Sequence, residues 1–294
     1  MKAVGNAMEE LRALILRLHT SPGRGSWLPG MQVVALTKVT QPISSVTAPT
    51  LALIAGGAKS TVLAGREFRH RTGQYLVTTL ALPVSAHVTR ADPFLAFGLR
   101  LRPELIVELL PDAPARPPAA PGPGMAVADA DDDLLEPVVR LLRLVERPRD
   151  FTVLARSAER EIHWRLLTGP AGDLVQQIGH ADSHVSLVGR AVHWITDHFD
   201  QTIRIADLAG HVGVSVPTLN RRFRATTGMS PLQYQKQIRL QRARLHLAAA
   251  PRDVAGAGFA VGYNSPSQFS REYRRMFGSP PSDDAGRTVV EPAR

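Results

Sequence analysis

Residues 205–224 read IADLAGHVGVSVPTLNRRFR. Ile205, Leu208 and Val212 fall on one helical face, and Ala209 is small enough to let a second helix approach. Gly213 supplies the chain reversal, Val214 plugs the turn, and Ser215 is a good N-cap for the helix that follows. Leu219 and Phe223, four residues apart, form the inner face of that second helix. The pattern predicts a helix-turn-helix, with a short helix, a tight turn and an outward-facing second helix. Pro217, Thr218, Asn220, Arg221 and Arg224 then project away from the core, and several of these side-chain types suit base edges or phosphates.

The same unit occurs twice. Val254, Gly258, Val261 and Gly262 repeat Ile205, Ala209, Val212 and Gly213 at an offset of 49. Beyond the turn the offset is 50, and Ser265, Phe269, Arg271, Tyr273, Arg274 and Gly278 repeat Ser215, Leu219, Arg221, Phe223, Arg224 and Gly228. The second turn, around Tyr263–Asn264, therefore holds one more residue. Each unit closes on a glycine followed by proline, Gly228–Pro231 and Gly278–Pro281. Between them Ser230–Pro231 opens a helix with a cap and an early proline, and the pattern carries it to about Ala249. A helix of about 19 residues is roughly 28 Å long, close to the ~34 Å between successive major-groove faces of B-DNA. One rigid helix would thus hold two recognition helices on one side of a duplex. Gly256 and Gly258 depart from good helix-forming sequence, each at a cost of up to about 1 kcal/mol relative to alanine.

These residues resemble the DNA-binding domain of AraC/XylS-type transcription regulators. The similarity spans roughly 187–282 and rests on Ser215 to Phe223, Thr227 to Pro231, and Gly262 to Tyr273. It implies that Pro217, Thr218, Asn220 and Arg221 face DNA from the first unit, and Pro266, Ser267, Ser270 and Arg271 from the second. Arg222, Arg224, Arg274 and Arg275 read as phosphate contacts or as solvated charge. The N-terminal half is similar to the AraC-type N-terminal cupin-like domain through Ala48 to Lys59, Gly73 to Val77 and Leu82–Val84. Family members of this kind are sequence-specific activators or repressors.

Charge agrees with a polyanion partner. The 294 residues carry a formal +9, but residues 1–184 hold 20 Lys/Arg against 18 Asp/Glu, whereas 185–281 hold 13 against 5. A segregated basic region is the footprint of a nucleic-acid binder. Aromatic residues make up only 5%, too few for a stacking platform along single strands. Cysteine is absent, which excludes disulfides, thiolate metal sites and cysteine catalysis.

Upstream, Met8, Leu11, Leu14, Ile15 and Leu18 predict an amphipathic helix. From Gln32 to Leu101 short apolar runs alternate with glycines, notably Gly56–Gly57, Gly65 and Gly73, and predict an antiparallel barrel or sandwich. A helix is expected from Glu104 to Leu110. Residues 113–124 hold five prolines and two glycines and lead into Asp129 and Asp131–Asp133, so 113–133 reads as a linker or surface excursion. Helices follow at 134–145, 155–167 and 174–180. The expected organisation is a multidomain α+β chain. Residues 1–112 form a cupin-like regulatory barrel and 134–184 a helical segment suited to dimerisation. Residues 185–282 are an all-α DNA-binding domain with units at 205–226 and 253–277, and 283–294 a tail.

No apolar run reaches the length of a membrane span, and Glu9–Glu10 argue against a signal peptide, so a cytoplasmic protein is expected. His180 and His184 are four apart but no third ligand accompanies them, and His70 and His87 form no His-x-His pair, so neither a metal nor another cofactor is expected. Nucleophile elbows and phosphate loops are lacking. The expected function is a non-enzymatic transcription regulator of promoter DNA. Its expected partners are RNA polymerase, a small-molecule effector at the barrel and a second copy of the chain. The alternative is a bifunctional chain whose cupin-like domain is an enzyme.

Overall fold

The computed structural model describes residues 2–20, 27–116, 122–250 and 253–284. Two strands dominate the N-terminal half: β3 (Thr50–Leu63) and β6 (Leu82–Arg100), which pair antiparallel over most of their length. Gly56–Gly57 does not end β3. The chain continues through a bulge there, because Gly57 sits at φ 80° and a Cβ would stand 2.2 Å from the Arg90 carbonyl oxygen. β6 likewise continues through the whole of 82–100 rather than as short separate runs.

The remaining strands are β1 (Met31–Leu36), β2 (Ile43–Thr47), β4 (Arg66–Arg71), β5 (Gln74–Thr78) and β7 (Met125–Asp129). The order is β1-β6-β3-β5-β7, with β2 added on β6 and β4 on β3. Among the described residues β1 and β7 do not pair, so the sheet is open rather than a closed barrel. The expected α+β division otherwise holds, with strands N-terminal and helices C-terminal.

The expected linker at 113–133 needs correction. Met125–Asp129 is a strand paired with β5, and Asp131 caps the next helix by accepting from the Leu134 amide. Arg116 donates to Asp173 and to the carbonyls of Thr168 and Gly169, tying the segment down. A five-residue strand of small side chains has too little pattern to be recognised alone; the exposed edge of β5 decides it. The aspartates are a helix start, favoured by the helix dipole, rather than a solvating run. Residues 117–121 and the tail from 285 lie outside the described residues.

The two faces of the sheet serve different partners. Leu51, Leu53, Ala55, Tyr75, Val77, Phe97 and Leu99 face a core completed by α1 (Lys2–His19), α2 (Pro103–Leu109), α3 (Asp132–Val145), α4 (Pro148–Thr168) and α5 (Gly172–Gly179). Met8, Leu11, Leu14, Ile15 and Leu18 of α1 are all buried in it, as their spacing predicts. Most of the segment 134–184, through α3, α4 and α5, packs into this core. The other face, through Leu63, Phe68, Leu76, Leu82 and Val84, meets helices of the C-terminal half in one shared core.

Candidate nucleic-acid interface

The C-terminal half contains α6 (His184–Asp197), α7 (Ile205–Val212), α8 (Val216–Thr227), α9 (Pro231–Ala249), α10 (Val254–Ala260), α11 (Pro266–Phe277) and α12 (Pro281–Asp284). The first helix-turn-helix is α7–α8. Gly213 adopts φ 75° and lets the Val214 amide return to the Ala209 carbonyl. Leu208, Ala209, Val212, Leu219 and Phe223 are buried together, and Val214 packs against them. Ser215 occupies the N-cap position, but its hydroxyl donates to Thr218 Oγ1 and makes no cap bond to the backbone.

The second unit is α10–α11. Asp253 caps α10 through the Gly256 amide, and Ser265 caps α11 through the Gln268 amide. Gly258 of α10 has a structural reason, since a Cβ there would stand 3.0 Å from the Phe269 ring. The intrinsic helix penalty at Gly258 is the condition for close packing of α10 on α11. At Gly256 a Cβ would meet only the movable end of the Asp253 side chain. Inside this unit Glu272, only 8% exposed, accepts from Lys236, Tyr263 and Gln268. Burial raises its pKa, but these hydrogen bonds outweigh burial and hold the carboxyl below its ordinary range.

The long brace is α9, 19 residues from Pro231 to Ala249, opened by a capping box between Ser230 and Gln233. Its Arg239 joins the two units. The guanidinium donates to the carbonyls of Phe199 (2.6 Å) and Gln201 (2.9 Å), which precede α7, and of Gly262 (3.0 Å) in the second turn. Gln235 donates to the same Phe199 and Gln201 carbonyls. Gly262, at φ 83°, presses so closely on Asp200 that a Cβ would stand 2.0 Å from its carbonyl oxygen. Sequence reading missed Arg239, since an arginine on a helix reads as solvated charge until the carbonyls around it are known.

All ten expected DNA-facing residues sit on the two second helices. Pro217, Asn220, Arg221 and Arg224 are exposed along α8, and Thr218 is half-buried. Pro266, Ser267, Arg271 and Arg274 are exposed along α11, and Ser270 is half-buried. Positions 217, 220, 221 and 224, and positions 267, 270, 271 and 274, share the spacing of one helical stripe. Each stripe lies opposite its buried residues, Leu219 and Phe223 in α8, Phe269 and Tyr273 in α11. Among the described residues, no salt bridge engages Arg221, Arg224, Arg271 or Arg274. Arg222 differs. It is half-buried beside His184, whose ring is lowered below its ordinary range first by burial and then by the Arg222 charge.

His184 opens α6 whereas His180 closes α5, so the pair does not lie along one helix. Among the described residues no group of three or more His, Asp or Glu could hold a metal ion, and no helix is long and apolar enough to cross a membrane.

Comparison with known proteins agrees with this construction. Residues 27–174 match the family model "AraC-type transcriptional regulator N-terminus", and residues 208–286 match the model "Helix-turn-helix domain". The HTH-type transcriptional activator RhaS of Escherichia coli (strain SMS-3-5 / SECEC) is 27% identical over 152 residues, 51% of this chain and 54% of that protein. The chain thus spans about half the length of the curated relatives it matches. Unsaturated fatty acid bound wild-type ToxT from Vibrio cholerae strain SCE256 superposes with a TM-score of 0.54 at 11% identity, covering 90% of this chain and 98% of that one. ToxT from Vibrio cholerae O395 does so with 0.52 at 9% identity, covering 88% and 98%. These two structures share the fold. With the first family model spanning half of its length and the second spanning both recognition helices, the chain belongs to the AraC-type transcriptional regulators.

Proposed function

We propose that this chain is a sequence-specific regulator of transcription that inserts α8 and α11 into adjacent major-groove segments of promoter DNA. One observation carries the reading. Two helices, duplicated in sequence and braced by one continuous helix, present matching stripes whose arginines are held by no carboxylate of the described residues. Arg221 and Arg271 reach base edges, with Pro217, Thr218, Asn220, Pro266, Ser267 and Ser270 beside them. Arg224 and Arg274 neutralise phosphates, which adds salt dependence without discriminating sequence.

The N-terminal half, which matches the AraC-type regulator N-terminus, is the regulatory part and takes a small-molecule effector; the ToxT structure with a bound unsaturated fatty acid supports a ligand in this fold. The shared core gives a route for control. A ligand that alters the sheet changes how firmly α8 is held, and it acts only by favouring one arrangement of the recognition helices over another. The site of action is the cytoplasm, with RNA polymerase and a second copy of the chain as partners, and the chain is not an enzyme.

The test is selection of DNA fragments from a random pool by the purified chain, followed by competition at fixed salt. A recovered site with two half-sites about one helical turn apart is expected. Equal binding to all sequences, unchanged when Arg221 or Arg271 becomes alanine, would leave only a nonspecific DNA coat.

A further inference from the structure

Lys59 and His70 are direct cross-strand neighbours on β3 and β4. Alternation along the strands puts them on the face that also carries Thr61, Leu63 and Phe68, the face turned toward the first helix-turn-helix unit. Val88 of β6 lies directly opposite Lys59 and belongs to an apolar cluster with Ile54 and Phe94. Phe68, two residues from His70, belongs to the shared core. The basic pair therefore lies between two apolar clusters.

Among the described residues the pair has no counter-charge. His70 is 1% exposed, and neither ring nitrogen has a hydrogen-bond partner of regular geometry. Burial first and then the Lys59 charge push its pKa down to about 4, against the raising effect of the Phe68 backbone. Desolvation likewise holds the Lys59 amine below its ordinary range. Among the described residues no carboxylate forms an ion pair with either. Other buried charges here are matched: Glu159, 1% exposed, meets Arg102 and Arg156, and Glu272 meets Lys236. An inward lysine beside an unpartnered imidazole costs stability unless a negative group completes it. Lys59 is half-buried, so its amine stays within reach of a small molecule.

We propose that Lys59 and His70 anchor a small ligand that carries a carboxylate on an apolar body. The carboxylate accepts from the Lys59 ammonium and from a ring N–H of His70, while the body lies along Ile54, Val88 and Phe94 or along Phe68 and Val84. This rests on the reading of the N-terminal half as an effector domain and names the chemistry of the effector. A charged partner in an apolar setting is worth more than one in water, and the apolar clusters select against small inorganic anions.

The experiment titrates the full chain with benzoate, octanoate and oleate, with the methyl ester of each, and with inorganic phosphate, following binding calorimetrically and by the shift in melting temperature. At least one acid is expected to bind and stabilise the chain, its ester and phosphate not. Lys59→Met is expected to keep or raise the stability of the unliganded chain and to weaken the acid about tenfold or more. His70→Gln provides a second variant should Lys59→Met fail to fold. Binding of no acid, equal binding of acid and ester, phosphate binding as tight as the acid, or acid binding untouched in the folded variants would each overturn the site. DNA selection by the same preparations separates this from the regulator reading. Site-selective DNA binding without carboxylate binding removes the ligand site alone, and carboxylate binding by a chain that selects no DNA sequence removes the regulator alone.

Discussion

The two helix-turn-helix units follow one sequence pattern but differ in what holds them. The first is built into the core that the sheet also uses: Leu219 and Phe223 belong with Leu63, Phe68 and Val84. Its closing turn touches the sheet directly. A Cβ at Gly228 would lie 2.4 Å from that of Ala64, the Gly124 amide donates to the Thr226 carbonyl, and Tyr234 donates to the Ala81 carbonyl. The second unit stands on a separate small cluster of Leu240, Ala243, Leu247, Ala257, Val261, Tyr263, Phe269 and Tyr273. It is connected to the rest mainly through α9 and the Arg239 junction. The regulatory half therefore grips one recognition helix directly and the other only through the brace, so duplication of a motif does not entail duplication of its control.

Emptying each core should separate the two units most strongly. Phe223→Ala and Phe269→Ala should each cost about 3–5 kcal/mol. The first should lower the main calorimetric transition, sheet included. The second should create an early transition confined to the second unit. A single transition shifted equally by both would show that the units are held alike.

Arg239→Met removes three charge-assisted hydrogen bonds at the junction, each worth about 1.5–3 kcal/mol. Affinity for a complete two-part site should fall at least about tenfold, while affinity for a fragment carrying only the half read by the first unit should hold. Arg221→Ala and Arg271→Ala should each cost about 1–3 kcal/mol and relax preference at one half-site only. Base-by-base competition would reveal a failure as loss spread over both halves.

Glycine substitutions should act with opposite signs. In α7, Gly210 has nothing within 4 Å of a built Cβ, so Gly210→Ala should stabilise by up to about 1 kcal/mol. Gly258→Ala forces a Cβ against the Phe269 ring and should destabilise the second unit, as melting temperatures would show. The smallest effect concerns acid. The Glu272 pKa is lowered by folding, so its contribution is present above the ordinary carboxylate range near 4.3 and is lost as pH falls through the lower folded value. The second unit should loosen in that window ahead of the first, whose Asp207 is exposed. Glu272→Gln should remove the difference in an acid titration.

Much of the interface was legible because helical spacing and turn chemistry are local. Gly213, Gly228 and Gly278 do adopt positive φ where the sequence reads turns and caps, and the brace runs from Pro231 to Ala249 as its cap implies. Gly56–Gly57 misled because a bulge and a turn call for the same residue. The strand 125–129 escaped because its partner edge, 74–78, is far away in sequence. Gly258 looked like a defect because its reason, the Phe269 ring, lies on another helix.

The order of residues alone determined the duplicated unit, the positions of its turns and the stripe each second helix offers. These follow from side-chain size, φ freedom and the period of a helix, all set within a few residues. Tertiary structure alone decided that the sheet stays open, that one recognition helix shares its core, that Arg239 locks the pair and that Lys59 meets His70. Each of these depends on groups brought together from distant parts of the chain, where burial and hydrogen-bond satisfaction, rather than local preference, select the outcome.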